Sequence, residues 1–215
     1  NEFDHATNIL IVSGYTGSGK TDILKSLAKQ GEQILDLEGI AHHKGSAFGA
    51  IGQEEQPTNE QFENNLALEW QKLNPKDRIW IEDESRAIGH IVIPETLFFK
   101  MRAATVFRID MPHNVRVERL VREYAHIDDA GIEQALLKLK NKWSVGIKPM
   151  LEALATGDYH KIAGISLAYY DKSYIKGLSN RDPKTIINFP VEIDEPDQTA
   201  RLLVEHANSI FKVTL

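Results

Sequence analysis

Cysteine is missing from this 215-residue chain, which excludes disulfides, thiolate metal centres and cysteine nucleophiles within it. Long hydrophobic runs are missing too. Nothing approaches the roughly 20 apolar residues that cross a bilayer, and the first eight residues carry neither a basic nor an apolar segment of signal type. A cytoplasmic protein with no membrane partner is expected. The chain opens on Asn1 rather than methionine, as a processed chain or an excised piece of a longer protein would. Internal repeats and low-complexity linkers are absent, so residues 1–215 are expected to form one principal domain. Positive charge is scarce as well: the formal net charge is −6, which does not suit a general polyanion binder. The deficit is uneven. Residues 1–99 hold 8 Lys and Arg against 16 Asp and Glu, whereas residues 100–148 hold 10 against 6. A local basic surface for phosphate or RNA is expected there.

What is present is a glycine-rich turn, Gly14-Tyr15-Thr16-Gly17-Ser18-Gly19-Lys20-Thr21, directly after the apolar run Ile9–Val12. The spacing G-x-x-x-x-G-K-[ST] is that of a P-loop, in which glycines let backbone N–H groups converge on a polyphosphate at a helix N-terminus. Lys20 is expected to reach the terminal phosphates and the Thr21 hydroxyl to help hold Mg²⁺. ATP or GTP is the ligand that this motif suggests by itself.

Further strands are predicted at 33–37, 78–82, 105–109 and within 185–193. Helices are predicted after Lys20, around Phe62, Leu66, Leu68 and Trp70, after Pro94 and Pro112, and over about 196–211. Residues 38–59 read as a long functional loop. Strands alternating with helices imply an α/β fold: a P-loop NTPase-like three-layer architecture with a mostly parallel sheet. The helical stretch at about 128–180 is expected to form a cap or subdomain.

A P-loop metal needs a carboxylate, and the candidates stand at strand ends. Asp83 is the first choice for the metal shell and Glu82 is close behind, both expected to be catalytic together with Lys20. Glu84 follows them directly, and Asp36 and Glu38 close the second predicted strand. His42 and His43 lack the spacing of a metal site and read either as phosphate or RNA contacts or as plain loop histidines. Arg116, Arg119 and Arg122 share one face of a helix, opposite an apolar stripe of Val117, Leu120, Val121 and Tyr124. They either clamp phosphates or form a solvated face. Lys138, Lys140 and Lys142 do not share one face and add basicity only.

The segment Asp36-Leu-Glu-Gly-Ile-Ala-His-His-Lys-Gly-Ser-Ala-Phe-Gly49 is more specific than a generic P-loop protein requires. Together with Gln56-Pro-Thr, Phe62-Glu-Asn, Glu82-Asp-Glu-Ser-Arg-Ala-Ile-Gly89 and Tyr169-Tyr-Asp-Lys-Ser-Tyr174, it resembles the carboxyl-terminal P-loop domain of bacterial tRNA 2-selenouridine synthase. The resemblance implies a transferase that acts on wobble 2-thiouridine in tRNA, geranylating the sulfur with geranyl diphosphate and then exchanging it for selenium from selenophosphate. It also implies a rhodanese-like domain carrying the reactive cysteine, in cis in the full protein or in trans, since this chain has neither. Geranyl diphosphate or selenophosphate then competes with nucleotide for the P-loop. Asp36, Glu38, His42, His43, Lys44, Ser46, Ser85, Arg86, Arg116, Arg119 and Arg122 would lie on the substrate or tRNA side. Two other readings remain open: a stand-alone small-molecule kinase, and a non-catalytic nucleotide- or tRNA-binding module working with a separate rhodanese-like partner.

Overall fold

A computed structural model describes residues 8–125, 128–140, 143 and 146–210. Its centre is a five-stranded, wholly parallel sheet in the order β2-β3-β1-β6-β7. The strands are β1 (Asn8–Gly14), β2 (Gln33–Leu35), β3 (Arg78–Glu82), β6 (Thr105–Asp110) and β7 (Ile186–Pro190). Successive side chains of a strand point to opposite faces, so β1 feeds two cores. Ile9 and Ile11 pack with Ile79, Ile81 and Val106 on one face. Leu10 and Val12 pack with Trp80 and Phe107 on the other. The near-continuous apolar strands follow from burial on both sides.

One face is covered by α3 (Asn59–Gln71) and α4 (Glu95–Ala103), the other by α1 (Lys20–Lys29) and α9 (Pro196–Ile210). In α3, Phe62, Leu66 and Trp70 stand four residues apart and are buried, while Leu68, off that line, is 59% exposed. The fold is a P-loop NTPase-like α/β fold, as the strand–helix alternation predicts. Residue 211, expected at the end of α9, and Lys142 lie outside the described residues.

Two local departures have simple causes. The second strand stops at Leu35, because the Asp36 side chain accepts a hydrogen bond from Gly39 N (2.7 Å) and caps a short helix, α2 (Leu37–Ala41). The charged turn after β3 leads into a small hairpin of β4 (Ala87–Ile88) and β5 (Ile91–Val92). Its two buried isoleucines, Ile88 and Ile91, drop into the first core.

Beyond β6, α5 (His113–Tyr124) is followed by α6 (Asp129–Leu139), α7 (Ile147–Ala155) and α8 (Tyr159–Leu178). These last three helices share a separate apolar cluster that includes Ile132, Leu136, Met150 and Ile162. Among the described residues, no helix is long and apolar enough to cross a membrane.

Candidate functional site

The turn between β1 and α1 has the conformation that its glycines permit. Gly17 and Gly19 have φ of 78° and 75°, which costs a Cβ-bearing residue dearly. Gly14 is required by contact: a Cβ there would stand 2.5 Å from Ser18 Oγ and 3.0 Å from the Ile109 carbonyl. Helix α1 starts at Lys20 with no side-chain cap, so its first N–H groups face outward as a ready anion site.

Five carboxylates lie near this turn, and the structure sorts them. Glu38, Glu82 and Glu84 bring ligand atoms within 4.8 Å of one another. Thr21 Oγ1 donates to Glu38 Oε2 (3.0 Å) and approaches Glu82 Oε2 (3.3 Å). Glu82 Oε1 is buried with no hydrogen-bond partner. Asp83, the first choice for the metal from sequence, is engaged elsewhere. Its Oδ2 accepts from Ser13 Oγ (2.6 Å) and its Oδ1 from the buried Arg181 (2.5 Å), with Arg102 3.8 Å away. The acid cluster therefore belongs to Glu38, Glu82 and Glu84. Its donor set of buried carboxylate oxygens plus a threonine hydroxyl fits a hard cation such as Mg²⁺.

The electrostatics fit the same reading. Burial, with Glu38 beside it, pushes Glu82 up to about 8. Burial also raises Glu84 well above the usual carboxylate range and raises Glu38. Burial works against the charge on Lys20, yet the carboxylates of Glu82, Glu84 and Glu38 hold its pKa above the ordinary lysine value. A carboxyl whose pKa is higher folded than unfolded contributes its full stabilisation below the unfolded value and loses it as pH rises through the folded one. In chelator-treated protein, melting temperature is therefore expected to fall as pH rises from about 4.5 to about 8. Glu82→Gln should flatten that slope in thermal scans. A slope unchanged by the substitution would remove Glu82 as its source.

The turn opens into a cavity of about 430 Å³, within the size range of small-ligand sites. Its floor is Gly14, Thr16, Gly17, Gly19, Lys20 and Thr21. Lys44, Ser46, Glu38 and Ser85 form one side. Leu120, Val121 and Tyr124 of α5 form another, with Ile132, Ile162 and Ala163 of the helical region beyond them. Three of the four residues of the apolar stripe read on α5 thus face a cavity, Val117 being the exception. Tyr170 Oη accepts from the Ala47 N–H (2.8 Å), next to Ser46, and burial pushes the Tyr170 phenol up to about 12.

Of the residues expected on the substrate side, Glu38, Lys44, Ser46, Ser85 and Arg119 line this cavity, together with Asp83. Asp36 caps α2. His42 ends that helix with φ 51° and bonds the Glu55 carbonyl (3.0 Å). His43 is buried against Gly49, and its burial, with His90 nearby, lowers its pKa. Arg86 is exposed and 3.8 Å from Glu95.

The arginines of α5 are held in ion pairs within the chain. Arg116 and Arg119 are buried, and Arg122 is exposed. Arg116 forms a bidentate pair with Asp171 of α8 (2.9 Å for each bond) and donates to the Thr16 carbonyl (3.2 Å). Arg119 pairs with Asp22, Glu123 and Asp194, and Arg122 also reaches Asp194. They brace the P-loop against α5 and α8, because Gly17 packs directly on the Arg116 backbone. Three of the ten positive charges at 100–148 are thereby paired within the chain.

Tyr15 and Ser18, expected in the phosphate cradle, do not line the cavity. Ser18 Oγ is buried without a partner. The Tyr15 ring lies against Tyr174 (4.7 Å), below the guanidinium groups of Arg116 (4.8 Å) and Arg108 (5.3 Å). Tyr174 also shares a 2.9 Å hydrogen bond with Ser13. Tyr124 stood out only as part of the apolar stripe, and Ser13 and Arg181 carried no sequence signal of their own. Tyr170 and Tyr174 did, as members of one motif at a helical spacing of four.

A P-loop at the central strand of a parallel sheet, with a carboxylate cluster at the neighbouring strand end, defines a P-loop α/β phosphate-binding domain. Residues 7–165 match the tRNA 2-selenouridine synthase AAA domain, and the chain belongs to that family. It is 40% identical over 158 residues to tRNA 2-selenouridine synthase of Shewanella loihica, covering 68% of this chain and 41% of that protein. It is 43% identical over 127 residues to the Bdellovibrio bacteriovorus protein of the same name, covering 57% and 33%. The chain thus spans about two fifths or less of these relatives. Among solved structures, tRNA delta(2)-isopentenylpyrophosphate transferase of Staphylococcus epidermidis superposes with a TM-score of 0.47 at 10% identity, covering 94% of this chain and 99% of that one.

Proposed function

We propose that this chain is the P-loop domain of a cytoplasmic transferase that modifies wobble 2-thiouridine in tRNA. Geranyl diphosphate is the ligand of the P-loop, and its geranyl group passes to the sulfur. A rhodanese-like domain, in cis or in trans, supplies the cysteine for the later exchange of sulfur for selenium from selenophosphate. The observation that carries this reading is the lining of the cavity, in which the phosphate cradle shares one space with apolar side chains of α5, α6 and α8, here called its apolar arm. An alkyl diphosphate has a group for each end, whereas inorganic phosphate donors leave the arm empty.

In this scheme the N–H groups at the start of α1 and the Lys20 ammonium gather the diphosphate. Thr21 and the cluster of Glu38, Glu82 and Glu84 would hold Mg²⁺, which when bound neutralises charge developing on the leaving group. Leu120, Val121 and Ile162 keep water from the reacting carbon. Lys44, Ser46 and Ser85 stand on the side open to the acceptor.

The test is mass spectrometry of 2-thiouridine tRNA incubated with geranyl diphosphate and Mg²⁺, with and without a separately supplied rhodanese-like domain. Geranylated tRNA from this chain alone is the expected result. Product only with the added domain would make the chain a binding module that needs its partner. No product in either arm would reject the reading.

A further inference from the structure

Helix α8 presents one continuous face to the cavity, through Tyr159, Ile162, Ala163, Ser166, Tyr170 and Tyr174. These residues recur at spacings of three and four, the repeat of a single helical face. At about 1.5 Å per residue, Tyr159 and Tyr174 stand about 22 Å apart along the axis. The face is graded. Its carboxyl-terminal half carries hydroxyls and meets the phosphate cradle where Tyr174 bonds Ser13 (2.9 Å). Its amino-terminal half carries Ile162 and Ala163, both buried. Tyr159 opens the helix. It is buried, and its hydroxyl donates to Asp129 Oδ1 in the first turn of α6 (2.7 Å). The phenol oxygen is thus engaged by Asp129, and the ring is the apolar part of Tyr159 left for the cavity. The Asp129 bond fixes the ring at the end of the arm remote from the P-loop.

We propose that Tyr159 is the end wall of the apolar arm and, with Ala163, sets the length of hydrocarbon tail that the site accepts. This rests on the alkyl diphosphate reading above and adds a specificity determinant to it. A tail longer than the arm meets the Tyr159 ring. A shorter one leaves apolar surface uncovered, which weakens binding in proportion to the area.

The experiment is calorimetric titration of the full chain, with Mg²⁺, by inorganic, dimethylallyl, geranyl and farnesyl diphosphates. Each affinity is expressed relative to inorganic diphosphate for the same variant. Wild type is expected to prefer geranyl. Tyr159→Ala should raise the farnesyl-to-geranyl ratio about tenfold, and Tyr159→Phe, which keeps the ring, should restore the wild-type order. Ala163→Phe should shift preference towards dimethylallyl by a similar factor, and it decides the matter if Tyr159→Ala does not fold. If wild type binds all four compounds equally, the alkyl diphosphate reading fails and this inference falls with it. If wild type prefers geranyl but the folded variants keep its order, the end wall is refuted while the reading stands.

Discussion

Replacing Lys20 by alanine is expected to weaken binding of diphosphate in the presence of Mg²⁺ about a hundredfold, or ~2.7 kcal/mol. The size follows from what Lys20 does in the free protein. Its ammonium lies among Glu38, Glu82 and Glu84, whose combined charge outweighs its own burial. With Lys20 gone, an incoming polyanion meets no ammonium in the turn, and Glu38, Glu82 and Glu84 lose the cation that favours their ionised, metal-binding form. One charge-assisted hydrogen bond is worth about 1.5–3 kcal/mol, and the weaker hold on Mg²⁺ places the loss at the upper end. Lys20→Arg should recover little, because a planar guanidinium does not replace a compact ammonium in a closed turn. Lys29→Ala, on an exposed side chain whose ammonium stands 4.0 Å from Asp197, is the control and should change affinity little. Calorimetric titration with inorganic diphosphate reads all three. Undiminished affinity in the alanine variant would take the P-loop out of the scheme.

The same cluster shows what sequence reasoning reaches and where it stops. The P-loop and its strand were legible because an apolar run, three glycines and a lysine–threonine pair sit within fourteen consecutive residues. The sheet was legible because its strands are buried on both faces. Choosing among Glu82, Asp83 and Glu84 was a matter of pleat. Side chains alternate at the end of β3, so Glu82 and Glu84 share the Thr21 side while Asp83 turns to Ser13 and Arg181. That signal was present in the spacing.

The arginines of α5 were not legible in this way. Their carboxylate partners Asp171 and Asp194 lie 55 and 75 residues downstream, and hydrophobic periodicity assigns a charged face to solvent whenever its partners are that remote. Some motif residues proved architectural. Gln56 donates to the carbonyls of Ala41 and Ile88 (3.0 Å each) and fastens the loop after α2 to the hairpin, while Thr58 caps α3. The hairpin itself, with two residues per strand, is too short for any periodic signal.

Arg181→Met is expected to lower the melting temperature by roughly 10 °C. The Arg181 side chain has no exposure. It donates to the carbonyls of Met101 (2.9 Å) and Arg102 (3.2 Å) as well as to Asp83, so it joins α4, β3 and the end of α8. Removing one partner of a buried ion pair costs about 3–5 kcal/mol, because the other charge is left unpaired. For a chain of this size each kcal/mol is worth about 2–4 °C. Arg102, 3.8 Å from Asp83, offsets only part of the loss. The effect should be strongly non-additive: once Arg181 is gone, Asp83→Asn removes the stranded charge and should recover several degrees. The single variant Asp83→Asn then separates the two roles that Asp83 can have. As the anchor of Ser13 and Arg181, its loss lowers the melting temperature and leaves Mg²⁺-dependent diphosphate affinity within a few-fold of wild type. As a metal ligand, its loss would lower that affinity at least tenfold with little change in melting. The 2.6 Å bond from Ser13 to Oδ2 and the 2.5 Å bond from Arg181 to Oδ1 favour the anchor, because each carboxylate oxygen is already turned to a donor of its own and away from the Thr21 side.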